Sequence, residues 1–382
     1  MDFRLDEGPY RDLLDKLGNP QNHLPPAIHF AGTNGKGSTL AFMKSIFEEA
    51  GLSVHAYTSP HLLTFNERIT LNGAHISNDK LLQYLDLIES SNNGAPVTFF
   101  EYTTALAFKA MANHPADICL IETGLGGRLD CSNVIERPLA TIITSIGYDH
   151  MDWLGTNITD IAHEKAGIMK TDCPSFIAPQ PYETDIRPVF DKKGNDISCP
   201  VYYIERIKNL PPLGLQGDHQ KDNASTAVAT IRITHPHITE GQIATGLRNA
   251  QWSARMEKVS DIPEIWFDCG HNADGANVIA TQLARWKDEQ SDLSIRLIIG
   301  LAADKDPNAF MAPLWAYCDQ VVCVDLLNAR NAQTAKELNS RILKHSRIPV
   351  TSAPSVKSAL LTPFDGLTLI CGSLYLYEQV KA

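Results

Sequence analysis

The sequence predicts an α/β protein: a larger N-terminal domain on a doubly wound, largely parallel sheet, followed by a smaller C-terminal α/β domain. Three observations carry this. Short β-branched or apolar runs alternate with segments of helical periodicity, as in strands joined by crossover helices. Glycine-rich turns follow several of the runs, where a strand must give way to a helix. The alternation also pauses near residue 255 and restarts at Glu264, and 382 residues exceed what one compact core usually holds.

In chain order, YRDLLDKLG reads as a short helix and NPQNHLPP as a proline-rich approach to the first strand. IHFAGTNGKGST is strand and turn, LAFMKSIFEEAG the helix after it, and SVHAYTSPHL a second strand ending at Ser59-Pro60. TFNERITLNGAHIS is polar, with a hairpin-type Asn72-Gly73, and reads equally as an ordered loop near a site or as a surface hairpin. KLLQYLDLIE is a helix, and VTFFEYTTALAFKAMANH is an apolar turn continuing into one. ICLIE is a buried strand that breaks into the glycine-rich TGLGGRLD, and LATIITSIGYDH repeats that design. NITDIAHEKAGIM is an amphipathic helix opened by a cap, with further strands at PSFIAP and PVYYIE. GDHQKDNASTAVATIRI and GQIATGLRNAQWSARMEKV read as helices, the second exiting into a connector. EIWFDCGHN, ANVIATQLARW, IRLIIGLAADKD, QVVCVDLL, TAKELNSRIL and LTLICGSLYL then restart the β/α alternation. The expected division is a first domain over 1–254, a linker over 255–261 and a Rossmann-like second domain over 262–382.

Bulk properties exclude several classes of function. A formal charge of −11 lacks the basic face that nucleic acid demands. No run approaches the roughly 18 apolar residues of a membrane span, and MDFRLDEGPYRD is not a signal peptide. The eight cysteines form no metal-type CxxC pair and mostly sit in apolar runs, as reduced thiols of a cytoplasmic protein do.

The chemistry concentrates in the first glycine-rich turn. A loop there exposes backbone N–H groups, the following helix N-terminus adds partial positive charge, and Lys36 adds a full one, so the fitting ligand is a polyphosphate. The usual phosphate-loop pattern places Ser or Thr directly after Gly-Lys; here Gly37 intervenes before Ser38 and Thr39. The domain is therefore expected to be P-loop-type. Ligands of such sheets gather beyond the carboxyl ends of strands, where Glu122 and Asp149-His150 also lie. Glu122 reads either as a salt-bridge partner of Arg128 or as a Mg²⁺ ligand beside nucleotide phosphates. His150 reads as a packing histidine or as a ligand. Lys165 reads from its spacing as a solvated helix lysine beside Glu164. Asp268 and His271 read as turn residues or as nucleotide contacts.

Taken in order, AGTNGKGST, TSPHL, FFEYTTA, ETGLGGRLDCSN, SIGYDHMDWLG, EKAGIMK, NASTAVA and FDCGHN resemble the folylpolyglutamate synthase and dihydrofolate synthase family, within the Mur-type ATP-dependent amide ligases. The resemblance runs from about residue 5 to the C-terminus. It implies that ATP phosphorylates a substrate carboxylate and that the amine of L-glutamate attacks the acyl phosphate, with dihydropteroate or a reduced folate as acceptor. FFEYTTA resembles the members that do both. The first domain would then be of Mur-ligase central type, binding ATP and pterin, and the second would complete the ligase.

The site residues follow from the matching motifs. Thr33, Asn34, Gly35, Lys36, Gly37, Ser38 and Thr39 would wrap the ATP phosphates. Ser59 and Glu122 would hold one Mg²⁺ and His150 a second. Lys165 matches the lysine that the family carries as a CO2-derived carbamate; a carbamate offers Mg²⁺ the hard oxygens that a cationic lysine cannot. On that reading Lys165 is exposed to ligand and its removal spares the fold. Asn223, Arg255, Asp268 and His271 would complete the nucleotide site, and Thr58, Thr98, Phe99, Phe100 and Leu129 would take the pterin. The expected protein is a cytoplasmic monomer with small-molecule substrates only.

This sequence departs from the family pattern at Ala254-Arg255-Met256, where a glycine usually leads and where alanine restricts φ. Cys269-Gly270 replaces a small-residue pair, and the first motif lies close to the N-terminus, without the extra leading helix of many relatives. Rival readings are another Mur-type ligase, a P-loop nucleotide switch and a non-catalytic relative. Against the switch, the chain has no Asn-Lys-x-Asp base-reading segment.

Overall fold

A computed structural model describes residues 8–326, 331–342 and 346–381, which form two compact units. The ends of the expected QVVCVDLL strand and TAKELNSRIL helix, and the leading seven residues, lie outside the described residues.

The first unit comprises Met1–Gly214 with Gln220–Gln251. Its strands are β1 (Ala27–Ala31), β2 (Val54–Tyr57), β3 (Ile69–Leu71), β4 (Ala74–His75), β5 (Ile118–Glu122), β6 (Ala140–Ile143), β7 (Ser175–Ile177) and β8 (Val201–Tyr203). They form one sheet in the order β4-β3-β2-β5-β1-β6-β7-β8, antiparallel only at β2/β3 and β3/β4. β1, β5 and β6 are central and buried at every position, which is why each reads as a largely apolar run, broken only by His29, Glu122 and Thr141. Within TFNERITLNGAHIS, Ile69–His75 form the hairpin β3–β4, its first strand buried and its second exposed, and Phe65–Arg68 ahead of it form a short 3₁₀ turn.

The helices are α1 (Pro9–Lys16), α2 (Lys36–Glu49), α3 (Asn78–Asn92), α4 (Phe99–Ala112), α5 (Met151–Leu154), α6 (Ile158–Ala166), α7 (Glu183–Asp196), α8 (Gln220–Thr234) and α9 (Glu240–Asn249). α2 packs on α8 and α9, α4 on α1 and α3, and α6 on α7. Gly246 is what lets α9 close on α2, since a Cβ there would fall 2.5 Å from Ile46 Cα. The expected cap of α6 differs: Asn157 makes no cap bond, and its amide donates to the Asp160 carboxylate instead. Thr98 does cap α4, its hydroxyl accepting from Glu101 N while the Glu101 carboxylate accepts from Thr98 N.

The second unit, Leu215–His219 with Trp252–Ala382, holds β9 (Glu257–Asp261), β10 (Glu264–Phe267), β11 (Ile295–Ile299), β12 (Gln320–Val324), β13 (Val350–Ala353) and β14 (Leu367–Cys371). The order is β13-β12-β11-β14-β10-β9, parallel except for β10/β9. α10 (Ala273–Glu289), α11 (Pro307–Met311), α12 (Ala335–Ile342), α13 (Val356–Leu360) and α14 (Leu376–Lys381) complete it. The stretch 255–261, expected as a linker, carries β9 and pairs within this sheet. No helix among the described residues is long and apolar enough to cross a membrane.

Ala254 and Met256 both adopt left-handed φ, +62° and +45°. The turn is held by carboxylates: Asp268 accepts from Met256 N (2.9 Å) and from Gly270 N (2.7 Å), and Glu257 accepts from Ala254 N (2.7 Å). Asp268 is buried and so has a structural task whatever else it does. Asp268→Ala is expected to lower stability by about 2 kcal/mol, because buried amides lose charged acceptors. Urea titration checks this, and unchanged stability would leave Asp268 only a ligand-binding role.

Candidate active site

The register of the first sheet sets its functional loops side by side. Phe30 is level with Glu122, Ala31 with Ile143, and Tyr57 with Ile121, so the segments after β1, β2, β5 and β6 leave from one edge. They are also bonded to one another. Thr33 N and Asn34 N donate to Ser145 O, and the Thr33 hydroxyl bridges to Gly147 O while accepting from Gly147 N. Gly32 makes this possible: a Cβ there would lie 1.9 Å from Thr144 Oγ1, at a φ of +151°.

Gly35, at φ +88°, is the residue before α2 and supplies no side-chain cap. The first-turn amides of α2 are therefore available for an anion, as a phosphate site requires. A Cβ at Gly35 would sit 2.4 Å from Asn223 Oδ1, so Asn223 lies directly against the loop. Asn223 also accepts from the Thr39 hydroxyl and donates to Gln220, which in turn donates to the Ser38 hydroxyl. Gln220 is fully buried; its place in the sequence three residues before Asn223 was the only signal for it. Lys36 folds back over the loop, its Nζ donating to Gly32 O at 2.9 Å and lying 3.9 Å from Glu122 Oε1.

Glu122 is buried and accepts from Ser59 N at 3.2 Å. The alternative pairing with Arg128 is absent, because Arg128 instead grips Glu164 through two nitrogens at 2.8 and 3.0 Å. That pairing also removes the partner expected for Lys165. Lys165 is only 3% exposed, not a solvated lysine, and no hydrogen bond or ion pair holds its Nζ among the described residues. Burial, then the charge of Lys36, holds its pKa down at about 7, against the opposing pull of Asp149, Asp130 and Glu164. An amine so placed is substantially neutral at physiological pH.

Lys165 is fixed by close backbone packing. A Cβ at Gly127 would lie 2.7 Å from Glu164 O, and one at Gly167 would lie 2.4 Å from Arg128 Cα, so the second glycine-rich loop lies flat on the last turn of α6. Arg128 N seals the contact by donating to Glu164 O at 2.7 Å. His150 is exposed and left-handed (φ +51°) at the start of α5, on the loop tied to the phosphate loop. No group of three or more His, Cys, Asp and Glu among the described residues could hold a metal by itself. A divalent ion here would take its remaining ligands from phosphate, water or a modified lysine.

An aromatic platform stands against the loop that follows Glu122, where Phe100 meets Gly124. Phe99 and Phe100 are exposed, Leu129 is at the border of exposure, and Thr58 is buried with its hydroxyl donating to Glu67 O. Phe100 packs on Gly124, where a Cβ would be 2.8 Å from its ring. Beneath sits Arg68, its guanidinium 5.6 Å from the centroids of both Phe99 and Phe100 and 5.8 Å from that of Phe65. Arg68 Nε donates to His61 Nδ1 at 2.8 Å. Arg68 and Asp130 were not anticipated, because each acts through partners distant in sequence or through loop amides. Asp130 is buried and accepts four hydrogen bonds, from Gly124 N, Leu125 N, Ser132 N and the Ser132 hydroxyl. Burial pushes its pKa up while those donors favour the anion.

Arg255, Asp268 and His271 belong to the second unit, and the His271 ring stands 3.1 Å from Cys269 O.

A phosphate loop, a buried carboxylate beside its lysine and a desolvated amine together define a nucleotide-dependent enzyme of the Mur-ligase class, and residues 30–178 match the Mur ligase middle domain. The chain is 34% identical over 336 residues to the dihydrofolate synthase/folylpolyglutamate synthase of Bacillus subtilis, covering 78% of this chain and 75% of that protein. It superposes on Escherichia coli FolC in complex with DHPP and ADP with a TM-score of 0.87 at 26% identity, covering 98% of this chain and 91% of the other. A bifunctional folylpolyglutamate synthase/dihydrofolate synthase with Mn, AMPPNP and L-glutamate bound matches at a TM-score of 0.87 and 25% identity, covering 100% and 94%. The chain belongs to the folylpolyglutamate synthase/dihydrofolate synthase family.

Proposed function

We propose that this protein is an ATP-dependent ligase that joins L-glutamate to the carboxylate of dihydropteroate and of reduced folates. The γ-phosphoryl group of ATP passes to a carboxylate oxygen, giving an acyl phosphate and ADP. The amine of glutamate, having lost its proton, adds to that carbonyl, and phosphate leaves as the amide forms.

The residues divide this work. Within the Thr33–Thr39 loop the amides of Gly35, Lys36, Gly37 and Ser38 and the Lys36 ammonium would hold the phosphates, while the amides of Thr33 and Asn34 are spent on Ser145 O, that of Thr39 is spent on Gly35 O, and Asn223 braces the loop. Ser59, Glu122, His150 and a carbamate on Lys165 would supply hard oxygen and imidazole ligands for two Mg²⁺ ions. Bound there, the metal would neutralise charge on the phosphoryl and carboxylate oxygens. Phe99, Phe100, Thr98, Thr58 and Leu129 receive the flat pterin ring. Arg255, Asp268 and His271 are assigned to the nucleotide by motif alone.

The observation that carries this reading is Lys165, a buried lysine with no anionic partner in contact and a pKa held down at about 7; its neutral amine would add CO2 and release a proton to water, leaving an anionic carbamate able to bind a metal. The test is phosphate release with ATP, Mg²⁺ and L-glutamate, comparing dihydropteroate with tetrahydrofolate. Stimulation by both supports the dual activity; stimulation by neither, with turnover of another carboxylate acceptor, returns the assignment to the wider Mur-type ligases. Phe100→Ala is expected to raise the KM for the pterin acceptor about tenfold, from loss of one stacking face, with the KM for ATP unchanged. Steady-state kinetics reads both.

A further inference from the structure

His29 is the one polar side chain in the β1 run AIHFA, and it is completely buried. Its Nε2 lies 2.8 Å from the Ser132 hydroxyl, and that hydroxyl donates its only proton to the Asp130 carboxylate. Ser132 must then accept from the ring, which fixes the Nε2–H tautomer and leaves Nδ1, without a partner, as a bare lone pair. Burial, then the charge of Lys170, drives the His29 pKa down to about 3, so the ring is neutral and the chain of donors runs in one direction. At its end, Asp130 Oδ2 holds Gly124 N and Leu125 N, each at 2.8 Å. Gly124 is the ledge on which Phe100 packs.

We propose that His29 is a positioning residue of the acceptor pocket: through Ser132 it orients Asp130, which holds the Gly124–Leu125 ledge beneath Phe100. The proposal rests on the reading of Phe100 and Leu129 as the pterin platform. A residue that merely filled space in β1 would be replaceable by an apolar side chain of like volume. A donor at the head of a hydrogen-bond chain is not, because its loss frees the hydroxyl to rotate and the carboxylate to follow.

The test uses the full-length enzyme with the variants His29→Leu, His29→Gln and Ser132→Ala and the double variant His29→Leu/Ser132→Ala. His29→Leu is expected to raise the KM for tetrahydrofolate about tenfold while the KM for ATP stays within about twofold. His29→Gln, which keeps an N–H near the Nε2 position, should recover most of that loss. Ser132→Ala should match His29→Leu, and the double variant should be no worse than the poorer single one, as for members of one chain. Ser132→Ala carries the same test should His29→Leu not fold. Amide hydrogen exchange decides the proposal without any acceptor: the segment containing Gly124 and Leu125 should exchange about tenfold faster in His29→Leu. If the wild type turns over no pterin acceptor, the functional reading falls and exchange still settles the relay. Unchanged exchange there, additive effects, or equal rises in both KM values would overturn it.

Discussion

Replacing Lys165 with alanine is expected to lower kcat by about 10²–10³-fold, the loss that follows removal of a group stabilising charge in the transition state. The variant should fold, since Lys165 Nζ anchors nothing: its neighbour Glu164 is held by Arg128, and the packing of the last turn of α6 is made by backbone. Short carboxylic acids should restore part of the rate by entering the vacated space as carbamate substitutes, while wild-type turnover without them would sink the carbamate assignment. The same burial predicts a pH signature in stability. With the folded pKa near 7 and the unfolded value near 10.5, burying the ammonium costs most below pH 7, and the penalty fades as pH rises from 7 towards 10.5. Lys165→Met should therefore be more stable than the wild type at pH 6 in CO2-free buffer, by a margin that shrinks by pH 9. Denaturant titration at the two values checks the sign.

The second large effect is expected at a position with no chemistry of its own. Gly167→Ala places a methyl group 2.4 Å from Arg128 Cα and Cβ and 2.7 Å from Arg128 N, where the obstruction is largely backbone. The helix turn and the second glycine-rich loop must separate, straining the Arg128 N–H bond to Glu164 O and the Asn133 amide, which donates to both Arg128 O and Gly167 O. The expected cost is about 3 kcal/mol, that of overpacking a close contact, with activity falling further because Lys165 moves with the turn. Calorimetry or urea titration reads the first and turnover the second. Stability within about 0.5 kcal/mol of wild type would show that the contact is looser than the geometry states.

What the sequence disclosed and what it withheld divide along a physical line. The central strands were legible because burial on both faces writes a largely apolar run, and the phosphate loop because its glycines, Lys36, Ser38 and Thr39 are neighbours in the chain. Lys165 was misread from spacing alone because its burial depends on Gly126–Arg128 lying against α6, a contact between segments some forty residues apart. Arg128 was set against Glu122 for the same reason: proximity in sequence suggested a partner that the fold gives to Glu164. β9 was hidden because Glu257–Asp261 is a polar edge strand with no full burial, recognisable only by its pairing with β10. Arg68, Asp130 and His29 were given no role from the sequence, although Asp130 and His29 lie in stretches singled out there; each is defined by what folding brings to it.

The account turns on an acyl phosphate formed from the acceptor carboxylate, and isotope transfer tests that most directly. Dihydropteroate labelled with ¹⁸O in its carboxylate is incubated with the enzyme, ATP, Mg²⁺ and L-glutamate, and the inorganic phosphate is analysed by mass spectrometry. One ¹⁸O should appear in each phosphate released, because the bridging carboxylate oxygen leaves with phosphorus when the amide forms. Unlabelled phosphate accompanying dihydrofolate formation would contradict the mechanism.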